Sequence, residues 1–398
     1  MILAPHNDPS EFGMRVAAFT PEAPGHLVQD PRGHLAYAPD PLPATLPLDL
    51  ETINLLAEAQ GALGELRGVG RGLPNPHLLI NPFLRQEAVL SSRIEGTTSG
   101  LQQLMMYEVD PAADVGQSDV AEVANYVAAL ELGFALLETM PICLRMIRHV
   151  HERLMTGVRG ENKRPGEFRQ EPVFIGRPGS TAETARFVPP PVMEMTAALN
   201  ELERYIGSHE SQLPFLIHLA LVHYQFETIH PFMDGNGRMG RLLIALQLRE
   251  RQVLPQPLLY LSPYFEQHQN AYRDLLLRIS THGDWKSWID FFLTGVHQQS
   301  VATLETSHRL LDLREAMHEW ARAASTSSNL GQLVDYLFER PVVSITGVSA
   351  KLGITHRSSG QLVQRMVETG FLQEITGHAR NRRFAATGIL ALLTPTAD

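Results

Sequence analysis

The chain has 398 residues, of which 44% are hydrophobic and 19% are charged, and its formal net charge at pH 7 is −10. These values are ordinary for a globular protein of two or three domains, and the negative charge disfavours a protein that coats nucleic acid along its whole length. The lone Cys143 excludes an internal disulfide and favours a reducing compartment, so we expect a cytoplasmic protein.

The first 50 residues are rich in proline and poor in periodicity, so we expect them to wrap over the surface. The segment Met1–Met14 contains acids and prolines but no apolar core, which excludes a signal peptide. No run of about 18 apolar residues occurs, so we expect no membrane span and no membrane partner.

The next segments alternate between apolar periodicity and breaks, which predicts several helices. A helix is predicted from about Asp49 to Arg67, and residues 68–72 are glycine-rich and predicted to form a loop. Asn81 and Pro82 are typical of an N-cap and a first helical turn, so a second helix is predicted to begin there and to run to about Glu95. Further helices are predicted at about 118–140 and 141–157.

Two short apolar runs, Pro172–Gly176 and Arg186–Pro191, flank a polar turn and predict a β-hairpin. The helix that follows, from Pro214 to about Phe226, leads into the stretch His230–Arg241. His218 and His223 on that helix are five residues apart and lie on poorly matched faces, so no metal site is predicted there.

The stretch from 230 to 241 combines a proton acceptor, a carboxylate, a glycine-rich turn and two guanidinium groups. Its glycines permit positive φ and close approach to a ligand, and a helix is predicted to follow, whose N-terminus favours an anion. Arginines three residues apart share a face of that helix, and their planar donors suit phosphate oxygens. A hard carboxylate suits Mg²⁺, and a histidine accepts a proton near neutral pH. We therefore predict a polyphosphate site at His230, Asp234, Gly235, Gly237, Arg238 and Arg241.

Other phosphate and hydrolase motifs are absent from the sequence: it contains no G-x-x-x-x-G-K-[ST] loop, no H-E-x-x-H helix and no G-x-S-x-G elbow. The stretch instead resembles the signature of the Fic family, H-P-F-x-[DE]-G-N-G-R-x-x-R, at every fixed position. The resemblance implies a mainly α fold, a helical Fic core with a β-hairpin flap, which transfers AMP from ATP to a hydroxyl side chain of a target protein.

The resemblance also implies a role for each residue of the signature. His230 would be the general base, and Asp234 would hold Mg²⁺ as the cofactor of ATP. The related Doc-like kinases carry a lysine in place of Gly237, which favours nucleotidyl over phosphoryl transfer here. The residues implied to bind the nucleotide are Gly235, Asn236, Gly237, Arg238 and Arg241.

Three segments outside the signature extend the resemblance. Ser91 and Glu95 match the motif [ST]-x-x-x-E-[GN] of self-inhibited Fic proteins, which implies that Glu95 pairs with Arg241 and blocks the site of the ATP γ-phosphate. Tyr272 resembles a residue beside the adenine, although a core position is the alternative for an aromatic residue on a helix. The hairpin resembles the Fic flap, which would pair with an extended target segment through Val173, Phe174, Ile175 and Gly176.

A long helix from about Val296 to Ala324 ends at a small polar break, residues 325–329, which we take as a domain boundary. Beyond it the pattern is typical of a winged helix-turn-helix domain, with helices and a two-stranded wing. From Pro341 to Phe384 there are six Lys and Arg residues and two Asp and Glu residues. DNA binding and protein docking both stay open, and the small number of basic residues slightly favours protein contact.

These features predict four regions and one main function. The regions are an N-terminal region with an inhibitory helix (1–105), a Fic core (106–300), a connecting helix and linker (301–329) and a winged-helix domain (330–398). The predicted function is auto-inhibited, Mg-ATP-dependent AMP transfer. The alternatives are a hydrolase that removes AMP, with Glu95 orienting the water, and a nucleotide-sensing regulator that binds DNA. ATP and a target protein are the expected partners; the target's identity, self-modification and homodimer formation stay open.

Overall fold

The computed structural model describes residues 16–72, 77–110, 118–177, 179–208, 212–254, 256–378 and 380–394. Within them the chain forms fifteen α-helices and five short strands, so the mainly α fold class is confirmed. The strands are β1 (Gly25–Gln29), β2 (Leu35–Pro39), β3 (Val342–Ser344), β4 (Gln373–Glu374) and β5 (Arg383–Ala385). The helices up to the signature are α1 (Leu50–Gly72), α2 (His77–Ile94), α3 (Leu101–Val109), α4 (Ser118–Leu137), α5 (Leu144–Met155), α6 (Val192–Gly207) and α7 (Phe215–Ile229). The later helices are α8 (Asn236–Glu250), α9 (Ser262–Gln267), α10 (Gln269–His282), α11 (Trp285–Ala324), α12 (Asn329–Glu339), α13 (Ile345–Leu352), α14 (His356–Glu368) and α15 (Thr387–Leu393).

The N-terminal segment contains a β-hairpin, which the poor periodicity of the first 50 residues did not indicate. β1 and β2 pair antiparallel, with Gly25 opposite Pro39. Asp30 stabilises the turn, because its Oδ1 accepts the N–H groups of Arg32 and His34, each at 2.8 Å. This short hairpin escaped sequence analysis because its signal is a side chain that bonds to the turn rather than a long alternating pattern.

The boundaries of α1 and α2 also differ from those predicted. α1 continues to Gly72 through the glycine-rich segment that the sequence predicts to be a loop, because its apolar side packs along α11. α2 begins at His77, and Pro82 lies inside it, so the prediction that Asn81 caps this helix is wrong. Burial of Leu78 and Leu79 in the core extends the helix ahead of the proline. In both places tertiary packing outweighs local propensity.

α7 and α8 form the centre of the core and carry the signature between them. Thirteen of the fifteen residues of α7 are buried, and α8 packs against α7, α4 and α5. By length and hydropathy α4 could span a membrane, the one such helix among the described residues. Here it packs in the bundle against α2, α5 and α8, and its buried Glu122 contacts Arg238 on α8, as expected of a core helix.

The winged helix-turn-helix domain is present and packs directly on α2. Its sheet has the order β3-β5-β4, and Ser344 and Thr355 cap α13 and α14 with their side chains. Gln86 on α2 donates to the carbonyl of Leu393 at 2.9 Å. Helix α3, which the sequence did not predict, packs on β3. The predicted boundary at residue 300 lies inside α11, which runs unbroken from the core to the winged helix.

Candidate active site

His230 ends α7 in a left-handed conformation, with φ 50° and ψ 61°. Its Nδ1 lies 3.2 Å from the carbonyl of Glu227, which can only accept, so Nδ1 carries the proton and Nε2 is the acceptor. Burial lowers the pKa of His230 to about 4, although Glu95 and Asp234 act in the opposite direction. The imidazole is therefore neutral at physiological pH and can take a proton through Nε2.

The turn after His230 is closed by Asn236. The side-chain amide accepts from the N–H of Phe232 and donates to its carbonyl, both at 2.8 Å. Gly235 precedes α8 with φ 77°, and a Cβ there would meet Met155 Sδ at 2.7 Å. The first N–H groups of α8 have no intrahelical acceptor and form an anion-binding end. The Asn236 side chain thus holds the turn, and the anion hole at the backbone N–H groups stays a prediction.

His151 on α5 contacts this turn through Asp234 and Phe232. The N–H of Gly166 donates to its Nδ1 at 3.0 Å, so Nε2 carries the proton and donates to the carbonyl of Asp234 at 2.9 Å. The ring stacks on Phe232 with centroids 3.6 Å apart. Burial lowers the pKa of His151 to about 4, which keeps this arrangement of protons at neutral pH. The position of Asp234 therefore depends on a histidine that lies 83 residues earlier.

Asp234 presents a carboxylate at the mouth of the site. Its side chain is 44% exposed, and Oδ1 lies 3.9 Å from Arg238 Nη2. A Cβ at Gly160 would lie 2.9 Å from Oδ2, so the glycine leaves space beside the oxygen. Among the described residues no cluster of three or more His, Cys, Asp or Glu side chains could hold a metal ion. One hard carboxylate at an open position fits a Mg²⁺ ion whose other ligands come from phosphates and water.

The two arginines of the signature are held by acidic side chains of other helices. Arg238 Nη1 donates to Glu122 Oε2 at 3.2 Å. Arg241 makes three contacts with the end of α2 and the residue that follows it. Its Nε donates to Ser91 Oγ at 2.8 Å, and its Nη2 donates to the Ser91 carbonyl at 2.9 Å and to Glu95 Oε1 at 2.7 Å. Burial opposes the negative charge of Glu95, but Arg241 outweighs it and lowers the pKa of that carboxyl.

Gly237 makes the contact between α2 and α8 sterically possible. A Cβ at this position would overlap Glu95 Oε1 and lie 3.1 Å from Arg241 Nη1. Any larger side chain would push Glu95 away from the arginine. The glycine of the signature therefore has a second role beside close approach to a ligand, since it lets the Glu95 carboxylate reach Arg241.

Comparison with known proteins agrees with this geometry. Residues 53–135 match the family described as Fic/DOC family N-terminal, and residues 141–248 match the family described as Fic/DOC family. The chain is a Fic/DOC family protein. Residues 330–390 match the family described as HTH DNA binding domain.

Relatives of this Fic/DOC protein carry the name protein adenylyltransferase Fic. The protein from Aedes aegypti is 30% identical over 206 residues, which cover 50% of this chain and 37% of that protein. The protein from Drosophila melanogaster is 27% identical over 249 residues, which cover 61% of this chain and 45% of that protein. The matches thus cover less than half the length of either relative.

Solved structures share the fold of this Fic/DOC protein. A Fic family protein from Desulfovibrio desulfuricans G20 superimposes with a TM-score of 0.56 at 21% identity, over 86% of this chain and 98% of that chain. Fic-1 from C. elegans gives a TM-score of 0.52 at 20% identity, over 66% of this chain and 74% of that chain. At these identities the likeness concerns the fold.

Tyr272 lies in the aromatic core next to the Fic signature. Its ring stacks on Phe265 with centroids 4.6 Å apart, and its hydroxyl lies 2.8 Å from His223 Nε2. Only 4% of the residue is exposed, so the ring presents no open face to an adenine. This placement favours the core role that the sequence left as the alternative.

The flap is less regular than the predicted β-hairpin. The two runs pair antiparallel, as the hairpin prediction requires, but at a single bridge between Ile175 and Phe187 rather than along a longer ladder. Prolines in both runs lack the N–H groups that a longer ladder needs. Val173, Phe174 and Ile175 are half-buried and Gly176 is exposed, which leaves an extended segment beside the site.

Several residues of the site escaped sequence analysis. Glu122, His151 and Glu227 lie outside the signature, and none of them belongs to a sequence motif. Glu227 faces Gly240, and burial raises the pKa of its carboxyl to about 7. Arg169 contacts the backbone of His230 from the start of the flap. A polar residue at an inward position of an otherwise apolar helix is the one signal that would have selected Glu122 and Glu227.

Proposed function

We propose that this protein transfers AMP from Mg-ATP to a hydroxyl side chain of a target protein and that Glu95 holds it in an inhibited state. The observation that carries the proposal is the neutral His230, with Nε2 as proton acceptor, at the start of the turn that leads into α8. The name of the relatives, protein adenylyltransferase Fic, supports the same reaction.

In the proposed reaction His230 Nε2 accepts the proton of the target hydroxyl. The hydroxyl oxygen then forms a bond to the α-phosphorus, and the bond from that phosphorus to the bridging oxygen breaks, so pyrophosphate leaves. The N–H groups that open α8 hold phosphate oxygens, and Arg238 and Arg241 neutralise the leaving group. Asp234 would hold Mg²⁺, which when bound supplies further positive charge beside the phosphates.

The brake in this proposal is the contact of α2 with Arg241. Ser91 and Glu95 occupy donors of the guanidinium that the γ-phosphate would need, so ATP would bind in an unproductive pose.

Removal of AMP is the rival reaction, with Glu95 orienting the attacking water. ATP labelled at the α-phosphate separates the two: label on protein supports transfer, whereas release of AMP from a labelled protein supports removal. Label on protein from ATP labelled at the γ-phosphate would indicate phosphoryl transfer instead.

The metal prediction is tested at Asp234. We expect Asp234→Ala to raise the Mg²⁺ concentration needed for half-maximal labelling by about tenfold or more, or to abolish turnover, because the cation loses its anchor. Labelling is measured across a Mg²⁺ titration. Asp312→Ala, at an exposed position on α11, is the matched control and should leave the titration unchanged. Full activity of Asp234→Ala at limiting Mg²⁺ would exclude Asp234 as the ligand.

The winged helix supports a second candidate function, binding of duplex DNA. Arg357, Gln361 and Gln364 share one exposed face of α14, spaced as successive turns of a helix. They line an open groove of about 750 Å³ that Arg382 of the wing also borders. Arginine and glutamine are the side chains that read guanine and adenine in the major groove. This face favours DNA over the protein docking that the sequence alone slightly favoured.

We expect Arg357→Ala to weaken duplex DNA binding by about 5- to 150-fold, which corresponds to 1–3 kcal/mol for a good base contact. Fluorescence polarisation with a pool of labelled duplexes, at two salt concentrations, measures the affinity. Arg322→Ala removes an exposed arginine of α11 that pairs with Glu315, and it serves as the control. Absence of binding by the wild type at low salt, or an equal loss in both variants, would contradict this candidate.

A further inference from the structure

Arg169 is a fully buried arginine, 1% exposed, between the active-site turn and the flap. Among the described residues no carboxylate lies within ion-pair distance of its guanidinium. Buried arginines are normally paired with an acid, because an uncompensated charge in the interior is costly. Because this cation has no acidic partner in the described part of the chain, its other contacts must stabilise it.

All the hydrogen bonds of this guanidinium go to backbone carbonyls. Nε donates to the carbonyl of His230 at 2.9 Å, and Nη2 donates to that of Ile229 at 3.4 Å. Nη1 donates to the carbonyl of Glu171 at 3.2 Å, and Nη2 also donates to that of Pro190 at 2.5 Å. Glu171 and Pro190 lie at the two feet of the flap, whose runs lead to the bridge between Ile175 and Phe187.

The carbonyls of Ile229 and His230 belong to the C-terminal end of α7, where no following helical turn supplies N–H groups to them. A cation is favoured at such an end by the helix dipole and by the orphan carbonyls. His230 itself adopts a left-handed conformation that costs free energy in a residue with a side chain. The guanidinium therefore holds the backbone of His230 in a conformation that the chain would not otherwise prefer.

We propose that Arg169 is a positioning residue that joins the His230 backbone to both feet of the flap, so that the base and the docked target segment keep one relative position. The inference rests on the proposed transfer to a target hydroxyl. Arginine is suited to this task because its planar fork reaches carbonyls in several directions, whereas a lysine ammonium is a single point on a flexible stem.

The charge of Arg169 has a second, separable effect on His230. Burial lowers the pKa of His230, and Arg169 lowers it further, whereas the Glu227 carbonyl, Glu95 directly after α2 and Asp234 of the turn raise it. Removing the cation should move the acid limb of the pH–rate profile to higher pH. Replacing it with lysine should retain most of this electrostatic effect but lose the simultaneous contacts.

The test uses the 398-residue chain with Glu95→Gly, which removes the proposed inhibitory contact, and compares Arg169→Lys with Arg169→Gln in that background. We expect both variants to lower kcat by about 10- to 100-fold and to raise KM for the target but not for ATP, as a misplaced base and flap would do. Only Arg169→Gln should shift the acid limb. Arg148→Gln is the control, since Arg148 donates to the carbonyl of Gly166 and does not contact His230.

Amide hydrogen exchange of residues 172–191 supplies a readout that needs no activity. We expect Arg169→Lys to speed up the exchange of the flap amides, while the amides of α7 and α8 stay protected from exchange. If Glu95→Gly shows no transfer at all, the proposed function fails and the exchange result alone decides the role of Arg169. Unchanged flap exchange in Arg169→Lys, or unchanged kcat and target KM in an active parent, would overturn the proposal. A variant that loses protection throughout the chain would also overturn it, since Arg169 would then be a residue of general stability.

Discussion

Glu95→Gly is expected to increase labelling of the protein itself and of its target, against the usual direction of a change near an active site. The variant removes the carboxylate that holds Arg241 Nη2 at 2.7 Å and frees the guanidinium for the γ-phosphate. Hydrogen bonds to charged groups contribute about 1.5–3 kcal/mol, so we expect a rise of about 10- to 100-fold. The measurement is the initial rate of incorporation from ATP labelled at the α-phosphate.

The coupling between Glu95 and Arg241 provides the control for this prediction. Glu95→Gly combined with Arg241→Ala should show no gain, because the arginine that ATP needs is then missing, so the two changes are strongly non-additive. Glu58→Gly alters an exposed glutamate of α1 and should leave the rate unchanged. A silent Glu95→Gly at saturating ATP would refute the inhibitory role, and a fall in AMP removal by this variant would support the hydrolase.

His230→Ala is expected to abolish transfer while ATP still binds. A positioned general base contributes about 10²–10⁴-fold, and the binding groups of α8 stay in place in this variant. Labelling and ATP affinity are measured on the same preparation. His149→Ala, at an exposed position on α5, is the matched control. Wild-type labelling by the His230 variant would exclude this residue as the base.

The same residue predicts the pH dependence of transfer. The pKa of His230 lies at about 4 in the folded protein because of burial, below the ordinary value of 6.5. The base is charged, and so inactive, only below that pKa, and it becomes neutral as the pH rises through it. We therefore expect a rate that does not fall between pH 7 and about pH 5 and that declines below. A loss of activity centred near pH 6.5 would contradict the neutral base.

Much of the candidate site can be predicted from residues 230–241, because the glycines, the proton acceptor, the carboxylate and the arginines lie close together in this part of the chain. Gly235 has the left-handed conformation that the glycine turn predicts, and α8 begins directly after it. The spacing of Ser91, in the last turn of α2, and Glu95, directly after it, likewise leads to a joint contact with Arg241. These features depend on local conformation, which the types and spacing of neighbouring residues determine.

Other parts were decided only by tertiary structure. Glu122 meets Arg238 across 116 positions of the chain, and Arg169 reaches His230 across 61. Burial, rather than residue type, gives His230 its lowered pKa, and α1, which packs along α11, continues through its glycines to Gly72. Sequence spacing defines which residues share a turn or a helix face, whereas burial and partners between distant segments depend on how the helices pack.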